Sequence, residues 1–170
     1  MDEYLIVDGY NVINSWPNLV ELKKDDLELA RDKLVEILQN YQGMQQAIII
    51  VVFDAHLSKA KTRTYLAEGN LQVVYTKAGE TADSLIEKMI GELPERSKIT
   101  VVTNDWDEQR IVMGKGALRM SSRELYYRVS DMGEVISQNS AGGFKKLKSI
   151  EGRLHDKVRK KLEEWRRKHL

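Results

Sequence analysis

The sequence predicts an α/β domain built on a central, mostly parallel sheet. Four short apolar runs recur along the chain: YLIV at 4 to 7, AIIIVVF at 47 to 53, LQVVYT at 71 to 76 and KITVVT at 98 to 103. Each is too short for a helix, and three are rich in Val and Ile, as strands buried on both faces of a parallel sheet are. Between them lie helical patterns. Residues 27 to 41 place Leu27, Ala30, Leu34, Ile37, Leu38 and Tyr41 on one side, and residues 82 to 93 do the same with Leu85, Ile86, Met89, Ile90 and Leu93. Strand and helix alternate, which means α/β with right-handed crossovers.

After the fourth strand, DWDEQRIVMG reads as a short helix ending at Gly114, and ALRMS as a brief fifth strand. SSRELYYRV then opens a further helix, because Ser121 and Glu124 have the spacing of a capping box. The Ser-, Asn- and Gly-rich segment SQNSAGGFKK, 137 to 146, reads as a linker. Beyond it Ile150, Leu154, Val158, Leu162 and Trp165 fall at helical spacing, with Lys and Arg on the other sides. The expected organisation is one domain over 1–136, followed by a linker and basic C-terminal helix over 137–170 that pack on it or extend from it.

A chain of 170 residues is long enough to bury a core without disulfide or metal staples. It contains no cysteine, which excludes disulfides and thiolate metal sites, and His56, His155 and His169 are too scattered for a zinc site. The first residues are acidic, and no apolar run approaches the length of a membrane span. The expectation is a cytoplasmic, soluble monomer. Net charge is +1, but eleven Lys or Arg and four acids lie between Phe144 and Leu170, leaving the remainder acidic.

Three of the strands end in an acid: YLIVDGYN gives Asp8, IIIVVFDAH gives Asp54 and KITVVTND gives Asp105. In an open parallel sheet the carboxyl ends emerge at one edge, where ligands bind, so these carboxylates are expected together. A fourth, Asp83, heads the stripe of Ile86 and Ile90 on the helix after the third strand, which puts it on the side facing the sheet rather than the solvent, and Glu80 is a possible fifth member. Clustered carboxylates repel one another and call for a cation. Oxygen donors without histidine or thiolate favour Mg²⁺ or Mn²⁺ over zinc. Ions of this kind, one or two at roughly 3.5 to 4 Å, activate water and stabilise a departing oxygen in phosphoryl displacement. The chemistry implied is phosphodiester hydrolysis.

Plainer readings exist at each position. Asp105 has the spacing of a helix N-cap with Glu108 reaching back, Asp83 suits the positive end of a helix, and Asp8 or Asp54 could each form a turn. Asn11 either orients a phosphate or an acid, or caps the turn that Gly9 permits. Tyr10 and Trp16 are expected to pack rather than to stack on bases. The joint placement of the acids at one edge favours the metal site. The cations of the tail, Lys145, Lys146, Lys148, Arg153, Lys157, Arg159, Lys160 and Lys161 among them, favour a phosphate-rich partner, a surface that Arg110, Lys115, Arg119, Arg123 and Arg128 extend.

With DGYN at 8 to 11, FDA at 53 to 55, ETAD at 80 to 83 and TND at 103 to 105, the chain resembles the YacP-like branch of the NYN nucleases, relatives of the PIN domains. The resemblance implies a PIN-like three-layer α/β/α sandwich and a metal-dependent endoribonuclease. Asp8, Asp54, Asp83 and Asp105 then form the acidic metal-binding set, with Asn11 beside them. Length and basic tail also resemble a bacterial ribosome-associated endoribonuclease of this branch, which implies mRNA on translating ribosomes as substrate.

Rivals fit less well. A phospho-receiver domain wants an adjacent acid pair after the first strand, where this chain has Asp8-Gly9, and DGYNVIN lacks the G-x-G-x-x-G turn of a dinucleotide site. The remaining alternative is a non-catalytic RNA or ribosome adaptor that retains the fold.

Overall fold

The computed structural model describes residues 1–55 and 64–139. The chain divides into two compact units, Met1–Val129 and Ser130–Leu170. The first contains the whole sheet and every acid named above. The predicted basic helix lies outside the described residues, as does His56.

The expected strands are all present: β1 (Glu3–Asp8), β2 (Ile48–Phe53), β4 (Leu71–Tyr75), β5 (Lys98–Val102) and the brief β6 (Leu118–Met120). Hairpin partner β3 (Thr64–Glu68) was not foreseen. The order across the sheet is β3-β4-β2-β1-β5-β6, parallel throughout except for β3, which runs antiparallel to β4. Chain order therefore runs outward from β1 through β2 and β4, then restarts on the other side with β5 and β6. The reversal falls between β1 and β5, the crevice where doubly wound sheets bind ligands.

Helices α3 (Leu27–Gln42) and α4 (Ala82–Glu92) match the predicted periodicities and α5 (Trp106–Gly114) the short helix expected to end at Gly114, while α1 (Gly9–Ile13) and α2 (Pro17–Asp25) are additions. α3 starts where Asp26 accepts from the backbone N–H groups of Glu28 and Leu29. α6 (Ser122–Asn139) starts on the predicted box: Ser121 N–H donates to Glu124 Oε2 at 2.6 Å, and Glu124 N–H to Ser121 Oγ at 3.1 Å. These bonds hold the Glu124 carboxyl below its usual range. α6 runs on to Asn139, into the segment read as a linker.

Strand alternation sorts the core into two layers. Ile6, Ile50, Val52, Val74 and Val101 pack with Ala82, Leu85, Ile86 and Ile90 of α4 and Val112 of α5. The opposite parity, Leu5, Val7, Ile49, Val51, Phe53 and Val73, is buried on the face covered by α1 and α3. The result is the three-layer α/β/α sandwich. Among the described residues no helix is long and apolar enough to cross a membrane.

Candidate active site

Asp8 closes β1 opposite Val52 and shares the parity of Ile6, so it emerges on the α4 face. It is buried, and Oδ1 accepts from the Asn11 N–H at 3.4 Å, making it the N-cap of α1. On the neighbouring strand Asp54 follows β2, two residues beyond the Val52 that pairs with Asp8. Its Oδ2 accepts from the Ala82 N–H at 3.3 Å, which brings the first turn of α4 to the same edge. Asp83 lies in that turn and, contrary to the expectation that it faces the sheet, is exposed: the burial of the stripe begins below it, at Ile86 and Ile90. Thr81 caps the helix by accepting from Ser84 N–H at 3.2 Å. Gly79, at φ 82, supplies the left-handed turn that leads through Glu80 into the cap.

On the other side of β1, Asp105 follows β5 and is exposed. Its N–H donates to Thr103 Oγ1 at 3.0 Å, and its Oδ1 accepts from Asp107 N–H at 2.9 Å, the expected cap of α5. Gln109, a residue sequence reasoning did not single out, is buried and donates from Nε2 to Thr103 O at 2.7 Å, fixing the strand end that precedes Asp105. Thr76 does the same for Asp54: its Oγ1 accepts from Ala55 N–H at 2.8 Å, and its N–H donates to Phe53 O at 3.0 Å.

Asn11 has a defined partner set. Its Oδ1 accepts from Asn104 N–H at 2.9 Å and from Ser122 Oγ at 3.0 Å. Asn104 in turn donates from Nδ2 to Ser15 Oγ at 2.7 Å and accepts the Ser122 N–H at 3.0 Å. The amide thus ties α1, the loop after β5 and the start of α6 across the topological switch. Gly9 does not form the expected turn. It is the first residue of α1 without a positive φ, and a β-carbon there would run into the Phe53 ring. The glycine supplies space.

Tyr10 and Trp16 are packing residues, as expected, with 8% and 2% exposure. Phe53 lies between Tyr10 and Tyr75, at 5.2 and 5.4 Å between ring centroids. Arg31 Nη1 donates to the Tyr10 hydroxyl at 2.8 Å. Burial pushes Tyr10 up against the opposing pull of Arg31, and it pushes Tyr75 up to about 12. An unfolded tyrosine titrates near 10. Between those values the unfolded chain releases a proton that folded Tyr75 keeps, so stability falls as pH rises through that window. Ultraviolet titration of the seven tyrosines should show a late step that Tyr75→Phe diminishes; all seven ionising together near 10 in the folded protein would contradict this packing.

Among the described residues, no three acidic or histidine side chains are gathered closely enough, as placed, to share one ion. Donor chemistry and the common edge nonetheless fit a hard divalent cation. Of the basic residues named from the sequence, Arg110, Lys115, Arg119, Arg123 and Arg128 are all exposed. Lys115 pairs with Glu87 at 3.5 Å, and Arg119 donates to Gln109 Oε1 at 3.2 Å. Lys145, Lys146, Lys148, Arg153, Lys157, Arg159, Lys160 and Lys161 lie outside the described residues.

Comparison with known proteins agrees with this geometry. The family model of the YacP-like NYN domain matches residues 5–167. YacP of Bacillus subtilis (strain 168) is 39% identical over 173 residues, covering 99% of both chains. A crystal structure of Rae1 (YacP) from Bacillus subtilis is 38% identical, covers 98% of this chain and 95% of that one, and superimposes with a TM-score of 0.72. A single-residue variant of the same protein covers 79% of each chain at 40% identity and a TM-score of 0.69. On a match that spans nearly the whole sequence and on the fold it shares, the chain belongs to the YacP-like NYN domain family, a nuclease-like family.

Proposed function

We propose that this protein is a metal-dependent endoribonuclease that hydrolyses phosphodiester bonds in RNA, with mRNA on translating ribosomes as its substrate. One observation carries the reading: Asp8 and Asp54 share a sheet face and edge, and Asp54 already bonds the first turn of α4, where Asp83 stands. Asp105 follows β5, on the other side of β1. Asp8, Asp54, Asp83 and Asp105 would hold Mg²⁺ or Mn²⁺, with Glu80, in the loop before α4, as a further donor. Bound there, the ion supplies a Lewis acid for activating water and stabilising the departing ribose oxygen.

The remaining work belongs to the chain. Asn11 acts as a positioning residue, because its oxygen fixes the loop that carries Asp105. Exposed Arg and Lys contact phosphates, which gives affinity without choice of sequence.

The test is cleavage of one labelled mRNA, free and on translating ribosomes, by wild type and Asp83→Asn, with Mg²⁺ present or chelated. Metal-dependent cuts that fall at least about a hundredfold in Asp83→Asn are expected, a loss on the scale of removing one transition-state contact. Asp83 is exposed, so the substitution should leave the fold intact. Confinement of the cuts to loaded ribosomes would assign the basic residues a docking role. Absence of cuts on both substrates, with ribosome binding intact in both proteins, would identify an adaptor instead.

A further inference from the structure

We infer that Tyr127, with Arg123 beside it, is a stacking platform for one unpaired base of a single-stranded RNA lying along the acidic edge. The inference rests on the RNA-cleaving reading above and adds a contact that reading does not need. Tyr127 is a large aromatic residue with 51% exposure on the second turn of α6. The Arg123 guanidinium lies 5.6 Å from the ring centroid and donates to the Tyr127 hydroxyl at 3.2 and 3.3 Å. Those distances put the guanidinium toward the hydroxyl end rather than above the ring centre.

Beside the ring lies packed aromatic structure. Tyr126 meets Tyr127 edge-on, at 6.0 Å and 73°, and meets the buried Trp16 at 5.5 Å and 71°. Trp16 Nε1 donates to Ser122 O at 2.8 Å, and Ser122 is itself bonded to Asn11 and Asn104. A continuous chain of packed rings and hydrogen bonds therefore holds Tyr127 to the switch-point crevice. Tyr127 lies five positions after Ser122 on the helix, roughly 7.5 Å along the axis.

The surrounding charge selects the occupant. Arg119, Arg123 and Arg128 are exposed, Arg119 and Arg128 close enough to Glu124 to act on its carboxyl, and Glu124 is turned back into its bonds with Ser121; Asp131, one turn further along α6, is exposed as well. An aromatic face with a guanidinium bonded at its edge suits a base with its phosphate, since every base offers a π-face and every nucleotide a negative charge. A protein partner would leave these cations to be matched by acids of its own.

The experiment uses the full chain, with metal chelated so that binding is read without cleavage. A short unstructured RNA carries the fluorescent base 2-aminopurine at successive positions. Wild type and Tyr127→Phe should quench one position, since both keep the ring. Tyr127→Ala should lose the quench and bind about five- to 150-fold more weakly, the range for one stacked base. An abasic site at the quenched position should weaken the wild type by the same factor and Tyr127→Ala no further. Equal affinity and quenching in Tyr127→Ala would overturn the platform, as would an abasic loss of the same size in both proteins. If the wild type also cuts RNA, either result leaves the nuclease reading standing; a wild type that neither binds nor cuts RNA would overturn both.

Discussion

Saturating Mn²⁺ is expected to raise the melting temperature of the wild type by roughly 5 to 10 °C, and Asp8→Asn to remove most of that rise. An ion at about a hundred times its dissociation constant, bound only by the folded state, adds about 2.7 kcal/mol. For a chain of this size each kcal/mol moves the midpoint by roughly 2 to 4 °C. The substitution isolates charge from structure. Asp8 caps α1 through Oδ1, and an asparagine oxygen caps a helix about as well as an aspartate one. Without metal, Asp8→Asn should melt at or slightly above the wild type, because the proposed site sets the Asp8 charge against those of the other carboxylates. With Mn²⁺ the order should reverse. A wild-type curve that Mn²⁺ leaves in place would sink the clustered-carboxylate site, whatever the cleavage assay shows.

The reversal depends on a geometry that was legible in the sequence because it follows from alternation. Once YLIV and IIIVVF are read as neighbouring parallel strands, the emergence of Asp8 and Asp54 at one edge follows, and ETAD adds Asp83 through the helix that covers them. The elements not foreseen lacked such a signal. In α2, PNLVELKKD, only Leu19 is buried, so hydrophobic periodicity had almost nothing to report, although Pro17 at the first position is itself a start signal. β3 is a short antiparallel edge strand, and its clue lay in the turn: Gly69, at φ 59, and Asn70 join Glu68 to its partner Leu71. The network of Asn11, Asn104, Ser15 and Ser122 was beyond reach for another reason. Its members lie up to 111 residues apart, and single polar side chains carry no periodicity.

Gly9→Ala is expected to destabilise the protein by about 1 to 3 kcal/mol, the usual cost of overpacking a core, and to lower cleavage further than the stability loss explains. Alanine is the better helix former, so propensity alone predicts the opposite sign. The deciding contact is with Phe53, fully buried between Tyr10 and Tyr75, whose ring would have to move for a β-carbon to fit. Gly9 directly follows Asp8 and Phe53 directly precedes Asp54, so the displacement falls between two of the four acids. Phe53→Leu, which removes ring atoms from that space, should cost stability alone yet tolerate Gly9→Ala, leaving the double variant at least about 1 kcal/mol more stable than the two losses added together. Chemical denaturation of the four proteins reads that coupling. Strict additivity would mean that the ring yields without cost, and the presence of glycine after Asp8 would then need a reason other than the close approach of Phe53.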